Sequence, residues 1–360
     1  MPESHPRPAD PPTILLTCGD PAGIGPEVVA LAWAATTAHR HARLRIVSSA
    51  AVLARALAER RGLPRGRLVT VPADDPRVSR PDELLVIEPA DIAALEVPPP
   101  GAATAAGGRQ AVAAVETACG LVRAGRAAAL VTGPLHKAAL RAAGRDEPGH
   151  TELLARACGL PDDAVSMMLW LPAADGGGLG VVHATLHESL ATAVARLSTP
   201  GIVAAGRRLA TLLEALLGRR PRIAVAALNP HGGEGGLFGD EESRLVAPAV
   251  RELAAAGLNV AGPLPADTLF LRASRGEFDG VVALYHDQGH IPIKLLGMHR
   301  AVNITLGLPL VRTSVAHGTA FDIVGSGRAD PASMLAAIDA AARLVAAGWP
   351  AGRTVTAARG

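Results

Sequence analysis

Short apolar runs alternate with longer Ala-, Leu- and Arg-rich stretches of helical periodicity along most of this 360-residue chain. The apolar runs are hydrophobic at consecutive positions, which is typical of strands covered on both faces. They predict strands at 14–17, 127–132, 179–185, 223–228, 280–284, 302–305 and 310–313. The periodic stretches predict helices at 26–35, 109–124, 189–195, 202–217, 241–256 and 331–347. This alternation predicts an α/β fold of mainly parallel sheets with helices on both faces.

The length of the chain predicts two lobes, because one domain takes about 150 residues. We expect lobe 1 to comprise 13–135 and 310–360, and lobe 2 to comprise 136–309. The Pro-rich residues 1–12 have no basic segment followed by an apolar one, so we interpret them as a disordered leader and not as a signal peptide.

The composition excludes several classes of protein. Hydrophobic residues make up 49% of the chain and charged residues 19%, which excludes global disorder. A net charge of +2 and the scarcity of aromatic residues argue against nucleic-acid binding. No apolar run is long enough for a membrane span. The three cysteines, Cys18, Cys119 and Cys158, lack metal-ligand spacing and imply no disulfide framework. We therefore expect the protein to reside in a reducing cytoplasm.

Rare residues concentrate in one short segment. Among 35 basic residues only Lys137 and Lys294 are lysines. One interpretation is that these two positions require the compact, titratable amine, which arginine does not offer. The alternative is that the two lysines are there by chance. Tyr285 is the sole tyrosine and Gln288 is one of two glutamines. Segment 285–294 is therefore predicted to belong to a functional site.

Polar, glycine-rich loops follow four of the predicted strands, at 18–27, 133–137, 229–236 and 285–290. Parallel strands gather ligands at their carboxyl ends, so these loops predict one active site. Three histidines each follow a predicted strand within three residues: His187, His231 and His286. Convergent imidazoles predict a divalent-metal site with positions left for substrate oxygens. The alternative is three separate loop histidines that bond to backbone groups.

Two further groups of residues are candidates for anion binding. The first loop contains Gly19, Asp20, Gly23 and Gly25. A glycine-rich turn before a helix can bring N–H groups to a phosphate, but the G-x-G-x-x-G spacing is absent and a tight structural turn explains the glycines equally well. The second group offers donors to a carboxylate or phosphate: His150, Thr151, Asn303 and Arg312.

Eight motifs occur in a fixed order along the chain. They are Asp20-Pro-Ala-Gly-Ile-Gly-Pro-Glu27, Thr132-Gly-Pro-Leu-His-Lys137, Gly149-His-Thr-Glu152, Asn229-Pro-His-Gly-Gly-Glu-Gly-Gly236, Gly262-Pro-Leu-Pro-Ala-Asp-Thr-Leu-Phe270, Tyr285-His-Asp-Gln-Gly289, Val302-Asn-Ile-Thr-Leu-Gly-Leu-Pro309 and Arg312-Thr-Ser-Val-Ala-His-Gly-Thr-Ala320. Over residues 13 to 345, this set resembles the 4-hydroxythreonine-4-phosphate dehydrogenase (PdxA-type) family of pyridoxal phosphate biosynthesis.

The resemblance implies roles for individual residues. The metal ligands are His187, His231 and His286, shared across a homodimer interface. The implied substrate contacts are His150, Thr151, Lys294, Asn303 and Arg312. The implied acidic residues near the metal are Asp267 and Asp287, and these two and Lys294 are the catalytic candidates. We expect cofactor contacts from Gly19, Asp20, Gly23, Gly25, Asn229, Gly232 and Gly233. The implied fold is that of isocitrate and isopropylmalate dehydrogenases, with two lobes flanking an active-site cleft that binds NAD or NADP without a Rossmann fingerprint.

The implied reaction is an oxidation followed by a decarboxylation. NAD(P) would oxidise 4-phosphooxy-L-threonine at C3 with one divalent metal per site (Zn, Mg, Mn or Co), and loss of CO₂ would give 3-amino-2-oxopropyl phosphate. Lys294 is the candidate for proton transfer, because an amine near a cation can have a depressed pKa, and phosphate binding is the alternative role.

Two departures from the family pattern leave the substrate open. Ala316 replaces the usual acid, and His290 stands where the biosynthetic enzymes usually have an apolar residue. A histidine here resembles the branch that oxidises D-threonate or D-erythronate 4-phosphate to dihydroxyacetone phosphate. Alternatives of other classes are a non-catalytic metabolite-binding protein and a phosphate acyltransferase of similar architecture, neither of which needs the three strand-end histidines.

Overall fold

A computed structural model describes residues 10–59, 66–161 and 164–350. The chain divides into two compact units: Met1–Asp146 with Thr319–Ala329 (unit 1), and Glu147–Gly318 with Asp330–Gly360 (unit 2). Most of the predicted leader, residues 1–9, lies outside the described residues. None of the helices in the described ranges is long and apolar enough to cross a membrane.

Unit 1 is built on parallel strands. The strands are β1 (Thr13–Thr17), β2 (Arg43–Val47), β3 (Arg67–Thr70), β4 (Glu83–Ile87) and β5 (Ala129–Thr132). They run in the order β3-β4-β2-β1-β5, and each neighbouring pair is parallel. The helices are α1 (Gly25–Ala35), α2 (Ala50–Glu59), α3 (Ala90–Ala93), α4 (Ala105–Arg123) and α5 (Lys137–Ala142).

Unit 2 has strands in the order β12-β11-β6-β7-β10-β8-β9. Their bounds are β6 (Ser166–Pro172), β7 (Gly178–His183), β8 (Arg222–Ala226), β9 (Asn259–Leu264), β10 (Gly280–Ala283), β11 (Val302–Leu306) and β12 (Val311–Val315). Pairing is parallel from β7 through β10 and β8 to β9, and antiparallel from β12 through β11 and β6 to β7. The predicted α/β fold with mainly parallel pairing is confirmed.

The helices of unit 2 cover both faces of its strands. They are α6 (His150–Ala157), α7 (Leu190–Arg196), α8 (Thr199–Leu217), α9 (Ala247–Ala255), α10 (Ala266–Ser274), α11 (His286–Gly297) and α12 (Ala332–Ala346), with a π-helical turn at Glu242–Val246. Val281 of β10 packs in a core with side chains of α10 and α11. Its neighbour Gly280 instead faces Leu209 and Leu213 of α8. Successive strand residues point to opposite faces, so α8 lies on the face away from α10 and α11.

Every strand and helix predicted from the pattern exists, with ends shifted by a few residues. Two elements that the pattern missed have physical causes. Strand β2 contains Arg45, which is buried because its guanidinium donates to the backbone oxygens of Leu44, Asp75 and Arg77. Helix α11 contains Pro292 in its interior, which interrupts the expected helical pattern.

The boundaries of the two units differ from the predicted lobes. The chain passes from unit 1 to unit 2 after Asp146, whereas the predicted boundary lies between residues 135 and 136. Residues 310–318, predicted for lobe 1, belong to unit 2. Helix α12 also belongs to unit 2, because it packs against β11 and β12 of that unit. Only Thr319–Ala329 of the predicted C-terminal segment belongs to unit 1.

Two glycines of α4 test the close packing of α4 against α5. A Cβ on Gly108 would lie 2.1 Å from the carbonyl oxygen of Ala139, whereas a Cβ on Gly120 would meet nothing within 4 Å. Gly120→Ala should therefore raise the free energy of unfolding by up to about 1 kcal/mol through helix propensity. Gly108→Ala should lower it by about 1–3 kcal/mol, because the backbone must move. Urea denaturation measures both, and a stabilising Gly108→Ala would contradict this packing.

Candidate functional site

Three neighbouring parallel strands of unit 2 end at one edge. Ala283 of β10 pairs with His183 of β7, and Val282 pairs with Val225 of β8. The chain segments that leave this edge therefore start side by side. His187 follows β7, His286 follows β10 and His231 follows β8. The three histidines therefore lie after strand ends, as predicted.

His187 and His286 lie together. Their ring centroids are 5.9 Å apart, and both side chains line a cavity of about 560 Å³ with Tyr285 and Asp287. Nδ1 of His286 is 2.6 Å from Oδ1 of Asp287. A carboxylate on one ring nitrogen is the usual outer partner of a metal-ligating histidine, and it leaves Nε2 of His286 for a metal. These donors fit a divalent metal of the zinc class.

His231 does not complete a group with these two. Among the described residues, no three His, Cys, Asp or Glu side chains are arranged to hold a metal ion. His231 begins a left-handed run of backbone from 231 to 235, in which His231 and Glu234 have φ of 53° and 44°. Non-glycine residues rarely adopt such φ values, and the strain they carry is concentrated at functional sites.

Asn229 anchors this run. Its Nδ2 donates to Glu241 and Glu242, and Oε1 of Glu242 accepts the backbone N–H groups of Leu228 and Asn229 at 2.8 and 2.7 Å. The amide nitrogen of Asn229 is thus engaged in shaping the loop. Contacts from Asn229, Gly232 and Gly233 to a cofactor stay predictions.

Two buried histidines lie behind His286: His290, which belongs to the predicted site segment 285–294, and His183, which the sequence did not assign to the site. His290 stacks on His286 with centroids 3.7 Å apart, and its Nδ1 is 3.1 Å from Nε2 of His183. Burial, reinforced by the neighbouring His286 and Lys294, lowers the pKa of His290 to about 4. Burial and the nearby imidazoles also lower the pKa of His183. The pair is therefore neutral at neutral pH. The i, i+4 spacing of His286 and His290 becomes informative only once α11 is known to be a helix.

The predicted substrate residues include a buried guanidinium. Arg312 of β12 is 1% exposed and donates to Oγ1 of Thr305 on β11 at 2.9 Å. Burial lowers the pKa of Arg312 to about 9, opposed by the charge of Glu152. Asn303 pairs with Ser314, and because side chains alternate along a strand, Asn303 and Arg312 lie on the same face.

His150 is the first residue of α6. Burial, and then the charge of the nearby Arg312, lower the pKa of His150 well below its ordinary value. Nε2 of His150 and Oδ1 of Asn303 are buried and have no hydrogen-bond partner in the described part of the chain. Buried polar atoms are normally bonded, so the His150 nitrogen beside a cation fits an anionic group of a ligand, and the Asn303 oxygen fits a donor such as a ligand hydroxyl. Thr151 is the second residue of α6, next to His150.

The remaining candidates are less tightly placed. Lys294 is an exposed residue of α11, close enough to His290 for its charge to lower the pKa of that imidazole. Asp287 contacts His286, whereas Asp267 is an exposed residue in the first turn of α10. The catalytic roles assigned to all three stay predictions.

The glycine-rich loop of unit 1 is packed against its own backbone and against the backbone of the loop that follows β5. A Cβ on Gly19 would lie 2.2 Å from the carbonyl oxygen of Pro134, and a Cβ on Gly25 would lie 1.7 Å from that of Cys18. This packing requires glycine whether or not the loop binds a ligand. Asp20 is 1% exposed, and burial raises the pKa of its carboxyl. Its Oδ1 accepts from Ala22, and its Oδ2 has no partner among the described residues. A contact between Asp20 and a cofactor stays a prediction.

Comparison with known proteins gives one consistent family. Residues 40–341 match the family model described as "Pyridoxal phosphate biosynthetic protein PdxA". A "4-hydroxythreonine-4-phosphate dehydrogenase" of Bradyrhizobium diazoefficiens is 42% identical, covering 93% of this chain and 97% of that protein. A "D-threonate 4-phosphate dehydrogenase" of Bordetella bronchiseptica is 44% identical, covering 94% of this chain and 93% of that protein.

Solved structures agree with the sequence relatives. A crystal structure titled 4-hydroxythreonine-4-phosphate dehydrogenase from Klebsiella pneumoniae has a TM-score of 0.78 at 41% identity, covering 93% of this chain and 98% of that one. A terephthalate 1,2-cis-dihydrodiol dehydrogenase from Burkholderia xenovorans has a TM-score of 0.62 at 35% identity, covering 94% and 98% of the two chains. These relatives cover 93–94% of the chain, and the family model covers residues 40–341.

The desolvated imidazole of His150, which is a half-buried residue, predicts how stability depends on pH. Because folding lowers the pKa of His150, the unfolded chain binds a proton below its ordinary pKa of 6.5 that the folded chain does not. Stability is therefore lost as pH falls through that value, by roughly 1 kcal/mol over the first unit below it. His150→Gln should lose less unfolding free energy than wild type between about pH 7 and 5.5.

Denaturant unfolding at each pH measures the difference, with His41→Gln as the control for replacing a histidine at the surface. Parallel pH profiles for wild type and His150→Gln would contradict a neutral, desolvated His150.

Proposed function

The chain belongs to the PdxA family of pyridoxal phosphate biosynthetic proteins, and on that premise we propose that it is an NAD(P)-linked dehydrogenase of a phosphorylated four-carbon hydroxy acid. The proposed substrate is 4-phosphooxy-L-threonine, oxidised at C3 and then decarboxylated to 3-amino-2-oxopropyl phosphate. The observation that carries this proposal is the buried Arg312 beside the unpartnered polar atoms of His150 and Asn303. An arginine fork suits a phosphate or carboxylate, and the low polarity around it strengthens the ion pair.

The substrate would bind within unit 2. Arg312, His150 and Thr151 hold its anionic groups, Asn303 contacts its polar groups, and Thr305 fixes the guanidinium through the bond at 2.9 Å. His187 and His286 would hold a divalent metal, and Asp287 orients the His286 ring through Nδ1. The bound metal would supply Lewis acidity for the oxidation at C3, and bound NAD(P) would supply the hydride acceptor.

Lys294 takes the proton that the C3 hydroxyl loses, with phosphate binding as its alternative role. Hydride and proton together account for the two electrons and two hydrogens removed. The product is a β-keto acid, which loses CO₂. Asp267 and Asp287 are assigned to the acidic surroundings of the metal, and Gly19, Asp20, Gly23, Gly25, Asn229, Gly232 and Gly233 to the cofactor.

A second substrate has specific support. His290 is a buried imidazole in direct contact with the metal-ligand candidate His286. The D-threonate 4-phosphate dehydrogenase relative matches this chain as well as the biosynthetic relative does. D-Threonate or D-erythronate 4-phosphate, oxidised at C3 and decarboxylated to dihydroxyacetone phosphate, is therefore the alternative. It needs the same metal, cofactor and phosphate contacts.

The protein would act as a homodimer in the cytoplasm. Exposed apolar side chains lie close in sequence to each metal histidine: Leu190 after His187, Leu237 and Phe238 after His231, and Ile291 and Leu295 after His286. Such exposure favours a protein partner, and a second copy of the chain that covers these residues can bring in the missing third ligand. None of the three cysteines forms a disulfide, which agrees with a reducing compartment.

Turnover with defined acids tests the reaction. Metal-loaded protein should reduce NAD⁺ or NADP⁺ with 4-phosphooxy-L-threonine, or with D-threonate or D-erythronate 4-phosphate, and release CO₂. The unphosphorylated acids should lose roughly a thousandfold in kcat/KM, because two charge-assisted hydrogen bonds of about 2 kcal/mol each are missing.

Arg312→Met should abolish this preference for phosphate, whereas Arg219→Met, at an arginine paired with Asp279, should keep it. Nicotinamide reduction is followed by absorbance. Tight binding of these acids without any turnover would leave a metabolite-binding protein as the correct description.

Mixing inactive variants tests the shared metal site. His187 and His286 lie together in one chain, so we expect the partner's His231 to be the third ligand. His187→Ala and His231→Ala proteins should each be inactive, and dissociating and reassembling an equal mixture should restore about a quarter of wild-type activity. Half of the dimers are then mixed, and each has one intact site of two.

The pairing of His187→Ala with His286→Ala is the matched control, because neither mixed site keeps both residues. Rescue by this control mixture would place His187 and His286 in different sites, contrary to the proposal. A fully active monomer in sedimentation would contradict the shared site outright.

A further inference from the structure

Gln288 is a buried amide that the reaction itself does not use. It lies in the first turn of α11, two residues after His286, and is 7% exposed. Its side chain is fully engaged with the backbone of two different strand ends. Oε1 of Gln288 accepts the N–H of Leu284 at 2.7 Å, and Nε2 donates to the carbonyl oxygen of Ala227 at 2.7 Å.

These two bonds replace a missing part of the sheet. Pairing between β10 and β8 ends at Val282 and Val225, whereas Leu284 and Ala227 lie beyond it and are each 1% exposed. Buried peptide groups need partners, and the glutamine amide supplies one acceptor and one donor to the two strands where they no longer bond directly.

The chain of bonds extends to the third loop. The backbone N–H of Thr185 and its Oγ1 both donate to the carbonyl oxygen of Leu284, at 3.2 and 2.8 Å. Thr185 precedes His187 by two residues, Leu284 precedes His286 by two, and Ala227 precedes His231 by four. The loops that carry the three histidines are thus joined by continuous hydrogen bonds from Thr185 through Leu284 and Gln288 to Ala227.

We propose that Gln288 is a positioning residue that holds the His286 loop and the His231 loop in place for divalent-metal binding. This inference rests on the proposed function, because it takes these histidines as metal ligands. In the proposed dimer, His286 and His231 of one protomer serve different sites, so the same bridge ties the two sites together.

The chemistry of the bridge explains why glutamine occupies the position. A carboxylate of the same length accepts from Leu284 but cannot donate to Ala227, and it sets two acceptor oxygens against each other. A methionine of similar length offers neither function. Substitutions at 288 should therefore loosen the spacing of the loops without removing any metal ligand.

The test is the zinc affinity of the apoprotein, measured by competition with a chromophoric chelator. Gln288→Met and Gln288→Glu should weaken zinc binding by about 10- to 100-fold, the range typical of groups that orient metal ligands. Turnover should fall at limiting zinc and recover at high zinc. Gln110→Met is the matched control: Gln110 is also buried and donates to a backbone oxygen, that of Glu96, but lies in unit 1. Its zinc affinity should equal that of wild type.

A second variant keeps the test decisive if a substitution at 288 prevents folding. Thr185→Val removes only the hydroxyl bond to Leu284 and should weaken zinc binding several-fold, with circular dichroism unchanged. Wild-type zinc affinity in folded Gln288 variants, or in Thr185→Val if those do not fold, would overturn this inference alone. A wild-type protein that binds no divalent metal would instead overturn the proposed function.

Discussion

Parallel strands that end side by side are the constraint on which the site depends. In unit 2, β7, β10 and β8 are neighbours in register, so the loops after them must start within strand-to-strand distance of each other. This edge places His187 and His286 at one cavity. The constraint ends where the ladder ends, and beyond it Thr185, Leu284 and Gln288 continue the hydrogen bonding that the strands can no longer provide.

Burial then tunes the polar groups that the edge brings together. His290 and His183 are neutral because desolvation disfavours their charged forms, so they support His286 without repelling a cation beside it. Arg312 shows the opposite use of burial: a guanidinium stays charged even when burial lowers its pKa to about 9, and its field is strong because water is excluded. The neutral histidines beside His286 thus suit a metal cation, and the buried Arg312 suits an anion.

The sequence predicted those parts of the molecule that depend on local pattern. Uninterrupted apolar strands and their polar ends located His187, His231 and His286 correctly at strand termini. The pattern missed β2, since Arg45 satisfies its charge through backbone oxygens far along the chain, and α11, since Pro292 hides the helix. Without α11, neither the stacking of His290 on His286 nor the bridge made by Gln288 was visible. The bridge joins residues 61 positions apart and leaves no periodic signal, whereas the i, i+4 spacing of the stacked histidines is informative only once the helix is known.

A crystal structure of the zinc-loaded protein, with zinc located by its anomalous scattering, tests the central claim most directly. We expect one zinc per site, held by His187 and His286 of one protomer and by the partner's His231, with Asp287 bonded to Nδ1 of the His286 ring. Zinc held by three histidines of a single chain, or away from His187 and His286, would contradict it.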